Sequence, residues 1–333
     1  MLKNKPLISV IIPTYNRKYF LEKISIPSVL RQTYPNFELI VVDDHSQDDT
    51  ERLIKKWSKK DKRIKYIKNF RTKGVSGARN SGILSAKGDY ISLLDSDDAW
   101  VHEHLENLLE VLENYSHIDI VSAGAVMVDL ETGKKIREFF LSNYKKTPGF
   151  FVRPDLYKFS GDLFHLSFSN FICNTQAMLS RKNVFNEVLY PEDLRVCEDC
   201  FLVHHMAYKG FSFSFYPSMH SIWYVHDYNT LDYQKHDISK AIKNFYSLLQ
   251  YYDKILNSFE VSSEIRRFLN KKKADVYFWN LAYNSFLKIK DYNSAYKYFL
   301  KGLYLNPWDF KKWKTFSIFL LSLPFRKFIR RLS

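Results

Sequence analysis

The chain has 333 residues, 46% of them apolar and 17% aromatic, enough to build a large core and to exclude a disordered or low-complexity protein. Fifty Lys and Arg against 36 Asp and Glu give a formal charge of +14, but residues 241–333 hold 18 of those cations and only 6 acids. A nearly neutral body of 240 residues therefore carries a strongly basic tail, which argues against a polyanion-binding groove running through the whole molecule.

In chain order, Leu7 to Ile12 is an apolar, β-branched run ended by Pro13, the pattern of a strand buried on both faces. A helix is predicted over 19–32, a second buried strand over 38–42 running into Asp43 and Asp44, and an amphipathic helix over 49–60. A strand at 64–67, a helix at 77–86 and a strand at 89–94 leading into Asp95-Ser96-Asp97-Asp98 complete an alternating β/α series. That alternation predicts an α/β fold with a mostly parallel open sheet flanked by helices, whose ligands bind beyond the carboxyl ends of the strands. A helix over 101–115, a strand over 118–128 and a turn at 129–134 follow. Residues 139–190 mix aromatics with Pro and Gly and read as loops and short elements that shape an acceptor pocket. Regularity returns in a helix at 197–209, and from Ser239 only helices are predicted. We therefore expect two domains, 1–235 and a basic helical extension over 236–333.

Three motifs carry chemistry. Two carboxylates one residue apart, Asp95 and Asp97, can both face the crevice at the end of a strand, and hard oxygen donors of this kind suit Mg²⁺ or Mn²⁺; an ordinary Asp-rich turn is the alternative. Asp43-Asp44-His45-Ser46 could accept hydrogen bonds from a base or ribose, or cap the following helix. Gly74 to Asn80 joins a glycine-relaxed loop to a cation, Arg79, on the first helical turns, an arrangement suited to a diphosphate, where a surface Arg is the plain reading.

Taken together, Ile8 to Arg17, Val41 to Ser46, Gly77 to Asn80 and Leu94 to Asp98 resemble the ordered motifs of an inverting family 2 nucleotide-sugar glycosyltransferase, over residues 6 to 235. The resemblance implies the GT-A fold and a divalent cation, Mn²⁺ or Mg²⁺, on the donor diphosphate. It further implies that Pro13, Tyr15 and Asp44 contact the nucleotide base, that Arg79 lies near the donor and Asp95 near the ribose, and that Asp97 ligates the metal, with Asp95 beside it. His45 stands where the family usually has Gly.

Inversion by direct attack needs a base for the acceptor hydroxyl. Glu198-Asp199 opens the helix at 197–209 as the family's Glu-Asp pair does, which makes Asp199 the general base and Glu198 its partner; two acids stabilising a helix N-terminus is the structural alternative. Tyr224 and His226 resemble a family segment that closes the active site, where His226 would reach the diphosphate or metal; an ordinary interfacial histidine beside aromatics is the alternative. A nucleotidyltransferase and a non-catalytic sugar-nucleotide-binding module are the competing classes.

Residues 291–307 resemble half of a tetratricopeptide unit, and the final stretch interleaves Trp308, Phe310 and Trp313 with basic residues. Aromatic anchors beside cations predict contact with an anionic membrane surface; a solvated helical face and a nucleic-acid surface are the alternatives, and no nucleic-acid module is recognised. Three cysteines, no signal-peptide pattern at the N-terminus and no apolar run long enough to span a bilayer predict a cytoplasmic protein, peripheral on the inner face of the cell membrane. The expected substrates are a nucleotide-sugar donor, UDP-sugar favoured, and a glycan or lipid-linked acceptor in surface polysaccharide synthesis.

Overall fold

A computed structural model describes residues 5–139, 144–226 and 238–322. The chain divides into two compact units, Met1–Asp193 with Glu198–Thr230, and Leu194–Cys197 with Leu231–Ser333.

The first unit is built on one open sheet. Its strands in chain order are β1 (Ile8–Thr14), β2 (Phe37–Asp43), β3 (Ile64–Lys68), β4 (Tyr90–Leu93), β5 (Ala99–Trp100), β6 (Ile120–Asp129), β7 (Lys135–Phe139), β8 (Gly149–Arg153), β9 (Leu156–Phe159), β10 (Met178–Arg181) and β11 (Phe213–Val225). The sheet runs β3-β2-β1-β4-β10-β6-β11-β9-β8, with β5 on β11 and β7 on β6. Parallel pairing is confined to β3-β2-β1-β4 and to β6 with β11, and every other pair is antiparallel, so the sheet is mixed. The expected parallel order thus holds where helices connect the strands. It gives way where short links such as the two-residue β8–β9 connection force neighbours to run in opposite directions.

Residues on β1 and β2 alternate between two cores. Val10, Ile12, Leu39 and Val41 face one, with Leu53 and Ile54 of the helix Thr50–Lys60 and Leu105, Leu108 and Leu112 of the helix His104–Asn114. Ile11, Ile40 and Val42 face the other, with Ala78 and Ile83 of the helix Val75–Ser85 and Leu202 and Met206 of the helix Glu198–Tyr208. Both faces are buried, which is why these strands read as continuous apolar runs. Gly82 lets its helix lie on the sheet, since a Cβ there would stand 2.4 Å from Ile11 Cγ2.

The helix predicted over 19–32 is interrupted. It comprises Lys18–Phe20, a π-turn over Leu21–Ser25 and Ile26–Leu30. Pro27 has no N–H to give to the preceding turn, and the chain takes the wider turn just ahead of it. In β11 the register slips between Tyr216 and Met219, around Pro217, for the same reason.

Sheet polarity decides where the site lies. β1, β2, β4, β6 and β11 point one way and β10 the other, so the residues after β1, β2, β4 and β11 and those before β10 meet along one edge.

The second unit is helical: Ile238–Ser258, Ser263–Asp275 continuing as a π-helix over Val276–Phe286, Tyr292–Leu305 and Phe310–Leu321. Ser262, Asp291 and Asp309 cap the last three α-helices through their side chains. Phe278, Phe299, Phe316 and Phe319 form its core, and Gly302 sits where a Cβ would be 2.7 Å from Phe278 Cβ. Lys312 is fully buried between Asp275 and Asp309, its Nζ 2.7 Å from each. No described helix is long and apolar enough to cross a membrane, and all three cysteines are free thiols.

Candidate active site

The loops after β1, β2 and β3 are tied into one floor. Asn16 N–H donates to Ser46 Oγ (2.9 Å), and Asn16 Oδ1 accepts from Gln47 N (2.7 Å). Asn16 and His45 both take positive φ, 53° and 65°. At position 45 that is a conformation glycine adopts without steric cost, which explains the Gly usual there. Asp44, buried, accepts from Asn69 Nδ2 (2.6 Å) and from the Gly74 N–H (2.9 Å). Asp43 accepts from the Ser46 N–H and the Tyr66 hydroxyl, so this carboxylate fixes the turn. Pro13 is buried in β1, while Tyr15 is half exposed with Lys73 Nζ 5.2 Å from its ring centre. Of the expected base contacts, Tyr15 is half exposed beneath Lys73, and Asp44 holds the Gly74 loop that opens the next helix.

Arg79 is the hub of the site. Its guanidinium is buried and donates from Nη2 to Asp95 Oδ1 and from Nη1 to Glu198 Oε1, each at 2.8 Å, and it lies 4.9 Å from the Tyr190 ring centre. Three residues picked out from separate motifs thus form one charge network. Glu198 is pushed above its ordinary carboxylate range by burial and by the charge of Asp199, against the pull of Arg79. Asp199, next in the chain, is half-buried in the first turn of its helix, and its Oδ1 accepts from the Cys200 N–H at 2.8 Å. Its charge is also felt by the partly buried Cys173 thiol, pushed up to about 12 chiefly by loss of solvent.

The three acids after β4 are handled differently. Asp95 accepts from Gln176 Nε2 at its second oxygen and donates its N–H to Gln176 Oε1. Asp97 lies 3.3 Å from His226 Nε2 and 3.5 Å from Arg17 Nη1. Burial would raise its carboxyl, but the His226 hydrogen bond and the Arg17 charge bring it below the ordinary range, so it stays ionised. Asp98 is pushed well above that range by burial and by the charges of Asp97 and Asp95, and it accepts the Tyr224 N–H at 3.1 Å. Arg17 and Arg79 therefore offset part of the acid concentration at the end of β4.

Of the three expected metal ligands, Asp97 and His226 come together, a carboxylate oxygen beside an imidazole nitrogen, which is a donor pair that suits Mn²⁺. Asp95 has both oxygens committed to Arg79 and Gln176. Among the described residues no group of three or more His, Cys, Asp or Glu side chains converges on one point. His226 ends the described part of this region, packed on Phe20 at 4.3 Å between ring centres.

Several residues at the site lay beyond the sequence reading. Gln176, just before β10, holds Asp95 from both sides. Asn80 donates to the Tyr190 carbonyl (2.9 Å) and to Glu192 (2.8 Å) and accepts the Tyr190 N–H (2.9 Å), clamping the chain that places Tyr190 beneath Arg79. Arg17 was visible in the first motif, without a role. A lone Gln or Asn has no periodic signature, and only the contact across the fold gives it meaning.

Glu192 provides a pH test of this clamp. Burial would raise its carboxyl, but hydrogen bonds from Asn80, Thr72 and Arg71 lower it from 4.5 to about 2. A carboxylate depressed in the folded state contributes stability that is full above about 4.5 and is lost as the pH falls toward about 2. Urea midpoints should show wild type more stable than Glu192→Gln at pH 7, with the gap closing between pH 4.5 and 2; a gap independent of pH would refute the assignment.

The sequence profile described as Glycosyl transferase family 2 matches residues 9–187, more than half of the chain. The chain belongs to glycosyl transferase family 2. It is 32% identical over 197 residues to an uncharacterized glycosyltransferase of Methanocaldococcus jannaschii, a match covering 59% of this chain and 63% of that protein. It is 34% identical over 191 residues to the GalNAc(5)-diNAcBac-PP-undecaprenol beta-1,3-glucosyltransferase of Campylobacter jejuni, covering 56% and 57%. To the UDP-Glc:alpha-D-GlcNAc-diphosphoundecaprenol beta-1,3-glucosyltransferase of Escherichia coli it is 38% identical over 136 residues, covering 39% and 53%. The match thus spans little more than half the length of these curated relatives. Among solved structures, S. aureus TarS 1-349 in complex with UDP-GlcNAc superposes with a TM-score of 0.58 at 19% identity, over 88% of this chain and 81% of that one. The Pyrobaculum calidifontis mannosyltransferase PcManGT in complex with GDP-Man and Mn²⁺ gives 0.53 at 16%, over 97% and 83%. These likenesses establish the GT-A-like fold.

Proposed function

We propose that the first unit transfers a sugar from a nucleoside-diphosphate donor, a UDP-sugar foremost, to a hydroxyl of a glycan or lipid-linked acceptor, with inversion at the anomeric carbon. The observation that carries this reading is the Arg79 network, which ties Asp95, at the donor end of β4, to Glu198, the residue before the base. In the proposed reaction the acceptor oxygen attacks the anomeric carbon, its proton passes to an Asp199 carboxylate oxygen, and the nucleoside diphosphate leaves from the opposite face. Glu198 has one oxygen committed to Arg79 Nη1, so the acceptor proton is assigned to Asp199 and not to Glu198. Tyr15 and Asp44 line the base end and Asp95 the ribose end of the donor site.

Asp97 and His226 would hold Mn²⁺ or Mg²⁺, which when bound supplies positive charge to the leaving diphosphate. Asp97, ionised, is matched to that task, and Arg17 contributes a fixed charge at the same place. The domain limits proposed are 1–235 for the transferase and 236–333 for the extension. Two relatives named for diphosphoundecaprenol-linked acceptors favour a lipid-linked substrate in polysaccharide synthesis, and hence a protein working peripherally on the inner face of the cell membrane.

A panel of UDP-, GDP- and dTDP-sugars with Mn²⁺ tests this reading by thermal shift. The true donor at about 100 times its Kd should stabilise the folded protein by about 2.7 kcal/mol, and Asp97→Ala should abolish the metal-dependent part. No stabilisation by any nucleotide sugar would refute the transferase assignment.

A further inference from the structure

The second unit carries a cleft of about 690 Å³ between the start of the helix Ser263–Asp275 and the turn joining Tyr292–Leu305 to Phe310–Leu321. Arg266, Arg267 and Lys271 line it from one side, at the i, i+1 and i+5 positions of a helix whose Ile265 and Leu269 are buried on the opposite face. Trp308 and Phe310 line it from the other, and both are more than four-fifths exposed, at 83% and 82%.

The charges around this cleft are unbalanced in a specific way. Several cations elsewhere in the unit have partners: Lys273 pairs with Asp253, Lys312 with Asp275 and Asp309, and Lys301 and Lys311 lie over aromatic rings. Among the described residues Arg266, Arg267 and Lys271 make no ion pair. The one acid in the lining, Asp309, is already neutralised, with one oxygen on Lys312 Nζ and the other accepting the Lys312 N–H. Three exposed, uncompensated cations thus face two exposed aromatic rings.

We propose that this cleft is a docking site for the anionic phospholipid surface of a bilayer. Guanidinium and ammonium groups bind headgroup phosphates, while an indole and a phenyl ring held at the same level enter the interface between headgroups and acyl chains. A soluble acidic peptide would satisfy the cations but gives no reason for two large rings to stand in water beside them. The site deepens the peripheral placement proposed above and rests on it, but it involves no residue of the transferase site. The basic residues beyond Ser322, Arg326, Lys327, Arg330 and Arg331, also expected to favour a membrane, lie outside the described residues.

Sedimentation of the full chain with vesicles tests the site. Wild type should bind phosphatidylcholine vesicles containing phosphatidylglycerol and not pure phosphatidylcholine. With about 1 kcal/mol per basic residue, the triple variant Arg266→Ser, Arg267→Ser, Lys271→Ser should bind roughly a hundredfold more weakly. Trp308→Ala with Phe310→Ala should weaken binding while keeping its salt dependence. The same variants should show undiminished stabilisation by the nucleotide-sugar donor, which separates failure of this site from failure of the transferase reading. If wild type ignores anionic vesicles, both the docking site and the peripheral placement fall. Equal vesicle binding by wild type and triple variant overturns the cleft alone, as does tighter binding to polyglutamate than to vesicles.

Discussion

Asp199→Asn should keep donor binding and lose most of the transfer. The side chain stays the same size and still accepts the Cys200 N–H, so the helix start is undisturbed, but an amide cannot take the acceptor proton. General-base catalysis of this kind contributes about 10²–10⁴-fold, and kcat should fall within that range while the KM for donor changes little. The neighbouring charge makes a second readout available. Asp199 is one cause of the raised Glu198 carboxyl, so removing its charge should lower the Glu198 pKa, observable by carboxyl-carbon NMR titration. Unchanged turnover would transfer the role to another group. A lost donor-induced thermal shift would mean that the substitution had damaged the donor site instead.

Arg79→Met should be costly in a different way. The guanidinium is buried with both terminal nitrogens on carboxylates and its plane near Tyr190. Its removal strands Asp95 and Glu198 at the same moment. Truncating one partner of a buried ion pair costs about 3–5 kcal/mol. Asp95 keeps some access to water, at 30% side-chain exposure, so the lower end, about 3 kcal/mol, is expected. On a unit of this size that corresponds to a Tm decrease of roughly 6–12 °C. Transfer should fall further than in Arg79→Lys, which retains the charge but cannot bridge two carboxylates. Calorimetry and initial rates on the two variants decide the matter. A stable, active Arg79→Met would show that the network is incidental.

Several residues of this site are legible in the sequence. The strands β1, β2 and β4 were readable because burial on both faces leaves a largely apolar run, and each ends in polar residues that meet at one edge. Asp95, Asp97, Arg79 and Glu198 were legible because their spacing follows strand and helix ends. What stayed hidden depends on contacts distant in sequence. β10 is four residues long, and nothing local tells that it lies antiparallel between β4 and β6. β11 is broken in pattern by Pro217 and by buried Ser and His side chains. Gln176 acquires its role only because β10 runs against β4 and returns the chain to Asp95, 81 residues earlier. The Asn80 clamp spans 110 residues, so its motif announced the donor and acceptor groups but not the partner.

The reversed direction of β10 has an evolutionary consequence. Gln176, which steadies Asp95, and Glu198-Asp199, proposed to face the acceptor, lie on a single excursion that leaves the edge through β10 and comes back past Tyr190. The floor formed by the loops after β1, β2 and β3 can stay fixed while this excursion lengthens or shortens around the turn after Glu187. Such indels would reposition Asp199, the proposed base, without altering the strands β1 to β4.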